Sequence, residues 1–87
     1  MSDAREIPVS FSSFLVSLAS SAMMHLGEAP DPSTGSARVD LELARQTIDV
    51  LGVLKEKTKG NLDDEEAKLL DTLLYETRTR FVQLTKG

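Results

Sequence analysis

The sequence has no cysteine, no tryptophan, one histidine, and only one tyrosine and three phenylalanines. Each absence removes a class of chemistry. Without cysteine there is no disulfide and no thiolate metal site. That composition fits a reducing compartment, so a cytoplasmic setting is expected. With His25 alone, a metal site would have to recruit carboxylates such as Glu28 or Asp31. These lie in a proline-containing loop without a ligand spacing that zinc or calcium sites use. A histidine at a helix end, hydrogen-bonded to backbone, is the simpler reading. Many serines are present, but no GxSxG elbow, and one histidine would have to serve any of them as base. No GxxxxGK[ST] occurs, so Gly27 and Gly35 do not make a phosphate loop. Nor is there an excess of positive charge. The net charge is −4, which argues against a nucleic-acid binder driven by phosphate neutralisation. No catalytic residue, cofactor or metal is assigned, and an enzyme is the least supported class.

The most informative absence is local. From Ile7 to Gly27 there is no Asp, Glu, Lys or Arg; all 10 basic and 14 acidic residues lie outside this run. The stretch Phe11 to Gly27, FSSFLVSLASSAMMHLG, is therefore the one the chain is organised around. Phe11, Phe14, Leu15, Leu18, Ala19, Ala22, Met23 and Leu26 follow helical spacing and form a stripe to bury. The other side carries Ser12, Ser13, Val16, Ser17, Ser20, Ser21, Met24 and His25. Ser13, Ser17 and Ser21 make one row, and small residues in such a row let a second backbone approach closely. A solvated serine face is the competing reading. The absence of charge favours a buried one. Six serines, Pro8 and His25 interrupt the apolar character, and Asp3 and Glu6 flank Arg5, so neither a spanning helix nor a signal peptide is expected.

The remainder reads as two helices. Pro8 and a Ser10 or Ser12 cap open the first helix, and Gly27 closes it. Glu28 to Arg38 is a loop rich in Pro, Gly and small polar residues. Its length leaves the direction of return open, and it could carry the first helix to another subunit. Asp40 is an N-cap, with Val39 and Ala44 placed as a hydrophobic staple. Leu41, Ala44, Ile48 and Leu51 give one apolar row, widened by Leu43, Val50 and Leu54. Gly52, costly inside a helix, is expected where another backbone packs close, the first helix being the nearest candidate. Lys55, Lys57 and Lys59 suit a helix C-terminus before Gly60. Asp63 with Glu66 is a capping-box pattern, and Leu70, Leu73, Leu74, Thr77, Phe81 and Leu84 continue with helical spacing. Glu76 and Arg80 are placed as an i, i+4 pair. Tyr75, Arg78 and Arg80 could form an exposed binding patch, though a solvated helix face explains them more simply. Met23 and Met24 read as adaptable packing. The predicted fold is all-α, with helices near 10–27, 39–59 and 63–85 in a single domain spanning 1–87. Residues 1–9 are expected to be flexible and 28–38 a loop. The short KGNLD turn makes the second and third helices an antiparallel hairpin.

Eighty-seven residues bury only about 60–65 % of their unfolded surface. Small domains without disulfides or metals gain burial by association. The expected function is thus a non-enzymatic, homo-oligomeric helical module with a structural or adaptor role. Self-association as a dimer or dimer of dimers would use Ser13, Phe14, Ser17, Ser20, Ser21 and Met24. The alternative is a binding module whose apolar first helix grips a partner protein's helix or an apolar ligand. Two blocks, FSSFLVSLASSAMMHLGEAPDP and VDLELARQTIDVLGVLKEKTKGNL, closely resemble the short bacterial proteins of the domain-of-unknown-function 1844 family, over about Val9 to Val82. The resemblance implies a bacterial, cytoplasmic protein and brings no activity, cofactor or catalytic residue with it.

Overall fold

A computed structural model describes residues 9–30 and 33–86, and each helix in it begins and ends on local chemistry. α1 spans Phe11–His25. Ser10 caps it: its hydroxyl accepts the Ser13 N–H at 3.0 Å, and the Ser13 hydroxyl accepts the Ser10 N–H at 3.0 Å. The pair satisfies two amides that a helix start otherwise leaves open. Gly27, at φ +81, closes α1. Its N–H donates to Met24 O at 3.0 Å, and the Glu28 N–H donates to Met23 O at 2.9 Å. These two bonds are those of a Schellman motif, which a left-handed glycine permits. A side chain there would also collide with its surroundings. A Cβ on Gly27 would lie 2.8 Å from Val39 Cγ2.

α2 spans Leu41–Lys57, capped by Asp40, whose carboxylate accepts the Leu43 N–H at 3.1 Å. It ends at Thr58, where the hydroxyl donates to Leu54 O at 2.6 Å. α3 spans Asp64–Lys86. Asp63 Oδ1 accepts the Glu66 N–H at 2.7 Å, and Glu66 Oε1 accepts the Asp63 N–H at 3.0 Å. Replacing Asp63 by Ala is expected to cost about 0.5–2 kcal/mol, since the capped amide loses its acceptor. Denaturant melts at fixed protein concentration measure it, and an unmoved midpoint would show that the box contributes nothing.

The three helices share one core. Leu15 and Ala22 of α1 meet Ile48 and Leu51 of α2 and Leu70 and Leu74 of α3. Thr77 is buried with them, and its hydroxyl donates to Leu73 O at 2.8 Å, so no polar atom is stranded. Leu43 and Val50, expected to widen the α2 row, are exposed instead. So is Phe14, which the stripe had included.

α2 and α3 run antiparallel. Lys55 pairs with Asp71 at 2.8 Å, while Gly52, earlier in α2, lies beside Arg78, later in α3. The neighbour of Gly52 is thus the Arg78 side chain, 3.2 Å from a hypothetical Cβ, and not a backbone of α1. Arg80 likewise does not rely on Glu76. Its Nε donates to Glu28 Oε2 at 2.6 Å, tying α3 to the turn after α1 across 52 residues. Val39, before the α2 cap, pairs with Leu26 in an isolated antiparallel bridge. This bridge, and the Asp40 N–H donating to His25 O at 2.7 Å, bring the two ends of the loop together. α1 consequently packs on its own hairpin. The Cα atoms span 37 × 36 × 16 Å, a slab with α1 covered from one side only. Of the expected flexible N-terminus, 1–9, all but Val9 lies outside the described residues, as does Asp31.

Candidate interaction surface

The buried row of α1 is Leu15, Ala19, Ala22 and Leu26. With 3.6 residues per turn, Ser17 and Met24 project almost opposite to it. Ser13 and Ser20 flank them on one side, Ser21 and Phe14 on the other. Among these, Phe14, Ser17 and Ser20 are exposed, and Ser13, Ser21 and Met24 are half-buried. Phe14 is 48 % exposed and Val16 is 47 % exposed. The six residues expected to mediate association thus share the outer side of one helix.

The electrostatics of this face are flat. It holds no ionisable side chain before His25. Its hydroxyls are also partly turned inward. Ser13 donates to Ser10 O at 3.0 Å, and Ser17 donates to Ser13 O at 3.1 Å. A serine whose proton is given to its own helix keeps its oxygen as an acceptor and presents a small, neutral outline. The charge of the described residues lies beyond α1, at Glu28, at Arg38 beside the C-terminal end of the face, and on the hairpin. The opposite side of the hairpin is an example: a shallow depression there is lined by Asp49, Gly52, Val53, Glu56, Lys57 and Arg78.

At its C-terminal end the α1 face runs into a cleft of about 240 Å³. It is lined by Met24, His25, Ser36, Arg38, Val39, Asp40 and Leu43, polar and charged side chains beside apolar ones. Sequence reasoning missed this feature. Met24 and Leu43 are nineteen positions apart, and only the bridge between Leu26 and Val39 places them side by side. The exposed pattern position Leu43 was the available signal: an apolar residue left over after the α2 core row is filled. His25 contributes its carbonyl to the loop closure. Its imidazole, expected to bond to backbone, lines the cleft and has no hydrogen bond among the described residues.

Other candidate chemistry stays apart. No group of three or more His, Cys, Asp or Glu close enough to hold a metal ion occurs among the described residues. Among the described residues no helix is long and apolar enough to cross a membrane. Tyr75 is 71 % exposed on α3, and Arg80, which the patch hypothesis joined to it, is engaged with Glu28.

The sequence matches the family described as Domain of unknown function (DUF1844) over residues 8–83. The chain belongs to this family. The match takes in all of α1 and α2 and most of α3, so the charge-free face and the cleft both lie inside the DUF1844 region. Comparison with curated proteins and with solved structures gave no match.

Proposed function

We propose that this DUF1844 chain is a non-enzymatic, homo-oligomeric helical module with a structural or adaptor role in the bacterial cytoplasm. The observation that carries the proposal is the outer face of α1, apolar and small, with no charge from Phe11 to Leu26 and with Phe14 and Val16 half in water. A surface helix of a monomer ordinarily carries Lys and Glu on its outer side. Each chain bears a net charge of −4, so two copies repel except where their charges are kept apart. The α1 face is where two identical acidic chains can meet without placing like charges together, which supports a second copy as its occupant. A dimer is the simplest closed assembly; a dimer of dimers would use a further face of the hairpin.

Light scattering coupled to size exclusion tests the reading. Twice the chain mass of 9.5 kDa, or four times it, is expected across dilution. A stable monomer would defeat it. The second reading is then favoured, in which exposed Phe14 and Val16 and the cleft beside Met24 grip a helix of another protein or an apolar ligand. A catalytic role draws no support from the serines, since the described hydroxyls of Ser13 and Ser17 bond to their own helix and not to His25.

A further inference from the structure

We infer that the two copies meet through antiparallel α1 helices, and that Phe14 of each chain fills the Met24–His25–Val39–Leu43 cleft of the other. The inference rests on the self-association proposed above and fixes its geometry. Phe14 and the cleft are a projection and a recess on the same face. Phe14 is half-exposed at the start of α1, touched by Phe11 with ring centroids 6.5 Å apart and otherwise leaving much of its ring in water. The recess lies ten residues further on, about 15 Å along the helix at 1.5 Å per residue. Around the helix axis, Phe14 points between Met24 and His25, about 80° from one and about 20° from the other. Those two residues line the cleft from α1.

A twofold axis perpendicular to α1, passing beside its outer face at the level of residue 19, exchanges the two ends of this face. It brings residue 14 of one chain over residues 24 and 25 of its partner, and places Ser17 over the partner's Ser21. Both contacts arise twice, as an isologous interface requires. A parallel arrangement leaves Phe14 facing Phe14 and the cleft empty. The materials at each point suit the antiparallel one. Near the axis the side chains are serines, small enough for two backbones to come close. Toward each end an aromatic ring meets the Met24 thioether, the Val39 and Leu43 side chains and the His25 imidazole, in a cleft that Ser36, Arg38 and Asp40 also line. A ring in such a pocket removes apolar surface from water, and methionine adapts its shape to a ring edge. The cleft volume of about 240 Å³ leaves room for one ring.

Isotope-filtered NMR on the unmodified protein tests this. Chains carrying ¹³C only in Met and Leu methyl groups are mixed with chains unlabelled except for assigned Phe rings. Nuclear Overhauser effects from the Phe14 ring to the Met24 and Leu43 methyls are expected between chains. Within one chain, and in a parallel dimer, Phe14 and Met24 stay about 15 Å apart along the helix, too far for the effect. A dimer by light scattering that lacks these effects overturns the antiparallel geometry and leaves self-association standing. A monomer overturns both. As a second measurement, Phe14→Ala is expected to raise the dimer dissociation constant on the order of 10–100-fold, the loss typical of an anchoring aromatic. Tyr75→Ala, exposed on α3, is expected to leave it within threefold. Equal effects of the two substitutions would also overturn the docking of Phe14.

Discussion

Ser17→Glu is expected to convert the oligomer into a folded monomer. Ser17 sits at the middle of the outer face of α1 and is exposed in the single chain. Within that chain a glutamate there meets water, follows a good helix propensity, and gives up only the hydroxyl bond to Ser13 O at 3.1 Å. Helix α1 and the core beneath it should therefore persist. In the proposed interface the same glutamate lies near the twofold axis, close to its own symmetry copy. Two carboxylates would be desolvated with no Lys or Arg on either α1 helix to pair with them. Burying one unpaired charge costs several kcal/mol, and a like charge beside it adds to the cost. A loss of that size weakens association by a factor of thousands or more, since about 1.4 kcal/mol is tenfold. Light scattering should read the mass of one chain, while circular dichroism keeps its helical signal. Glu76→Gln, on the exposed side of α3, serves as the control and should retain the wild-type mass. Should Ser17→Glu keep both mass and melting point, the serine face is solvated and the oligomer does not form through it.

Leu15→Ala is expected to be the most damaging core substitution in α1, lowering stability by about 2–5 kcal/mol. Leu15 is 0 % exposed and is the largest buried α1 side chain within the cluster that Ile48, Leu51, Leu70 and Leu74 complete from the hairpin. Its α1 companions in the buried row are Ala19 and Ala22, with Leu26 at the far end, so the cost within this range depends on how far the hairpin side chains Ile48, Leu51, Leu70 and Leu74 relax into the cavity. The effect is large against the whole. A chain of 87 residues has a total stability of roughly 4–13 kcal/mol at 0.05–0.15 kcal/mol per residue. Denaturant melts should be compared at one protein concentration, because dissociation of an oligomer would otherwise shift the midpoint. Val82→Ala, half-exposed on α3, should cost less than about 1 kcal/mol. If the two substitutions cost the same, α1 does not anchor the core through Leu15.

What the sequence determined by itself was everything encoded within a few residues. The caps are local hydrogen bonds between near neighbours, so Asp40 as the α2 cap and the Asp63–Glu66 box could be read from spacing, while Ser10 and Ser12 both qualified for α1 and the structure has Ser10. Gly27 as a stop was legible for the same reason. Each observed helix end falls within about two residues of the expected one. The buried rows Ala44–Ile48–Leu51 and Leu70–Leu74–Thr77 were legible too, because helical periodicity names the side to be covered. The charge-free side of α1 is a property of composition and needed no coordinates.

Only the tertiary structure decided what met across long separations. Spacing in sequence does not say which path a loop takes. The loop 28–38 could have carried α1 away; the bridge between Leu26 and Val39 instead folds it back, and makes the cleft between Met24 and Leu43 in doing so. Arg80 had a partner four residues away by pattern, and took Glu28 at the turn after α1, a contact that exists only once all three helices are packed. Gly52 marked a close approach, as its cost in a helix suggested, but the approaching group proved to be the Arg78 guanidinium. Phe14 fitted the apolar stripe at helical spacing, and packing left it at the margin, half in water. A stripe of 3.6-residue period defines a direction for burial but not its width, and the width is set by how far the neighbouring helices reach around α1. In this chain they stop short of Phe14, and that leaves the aromatic projection opposite which the cleft at the other end of α1 can be placed.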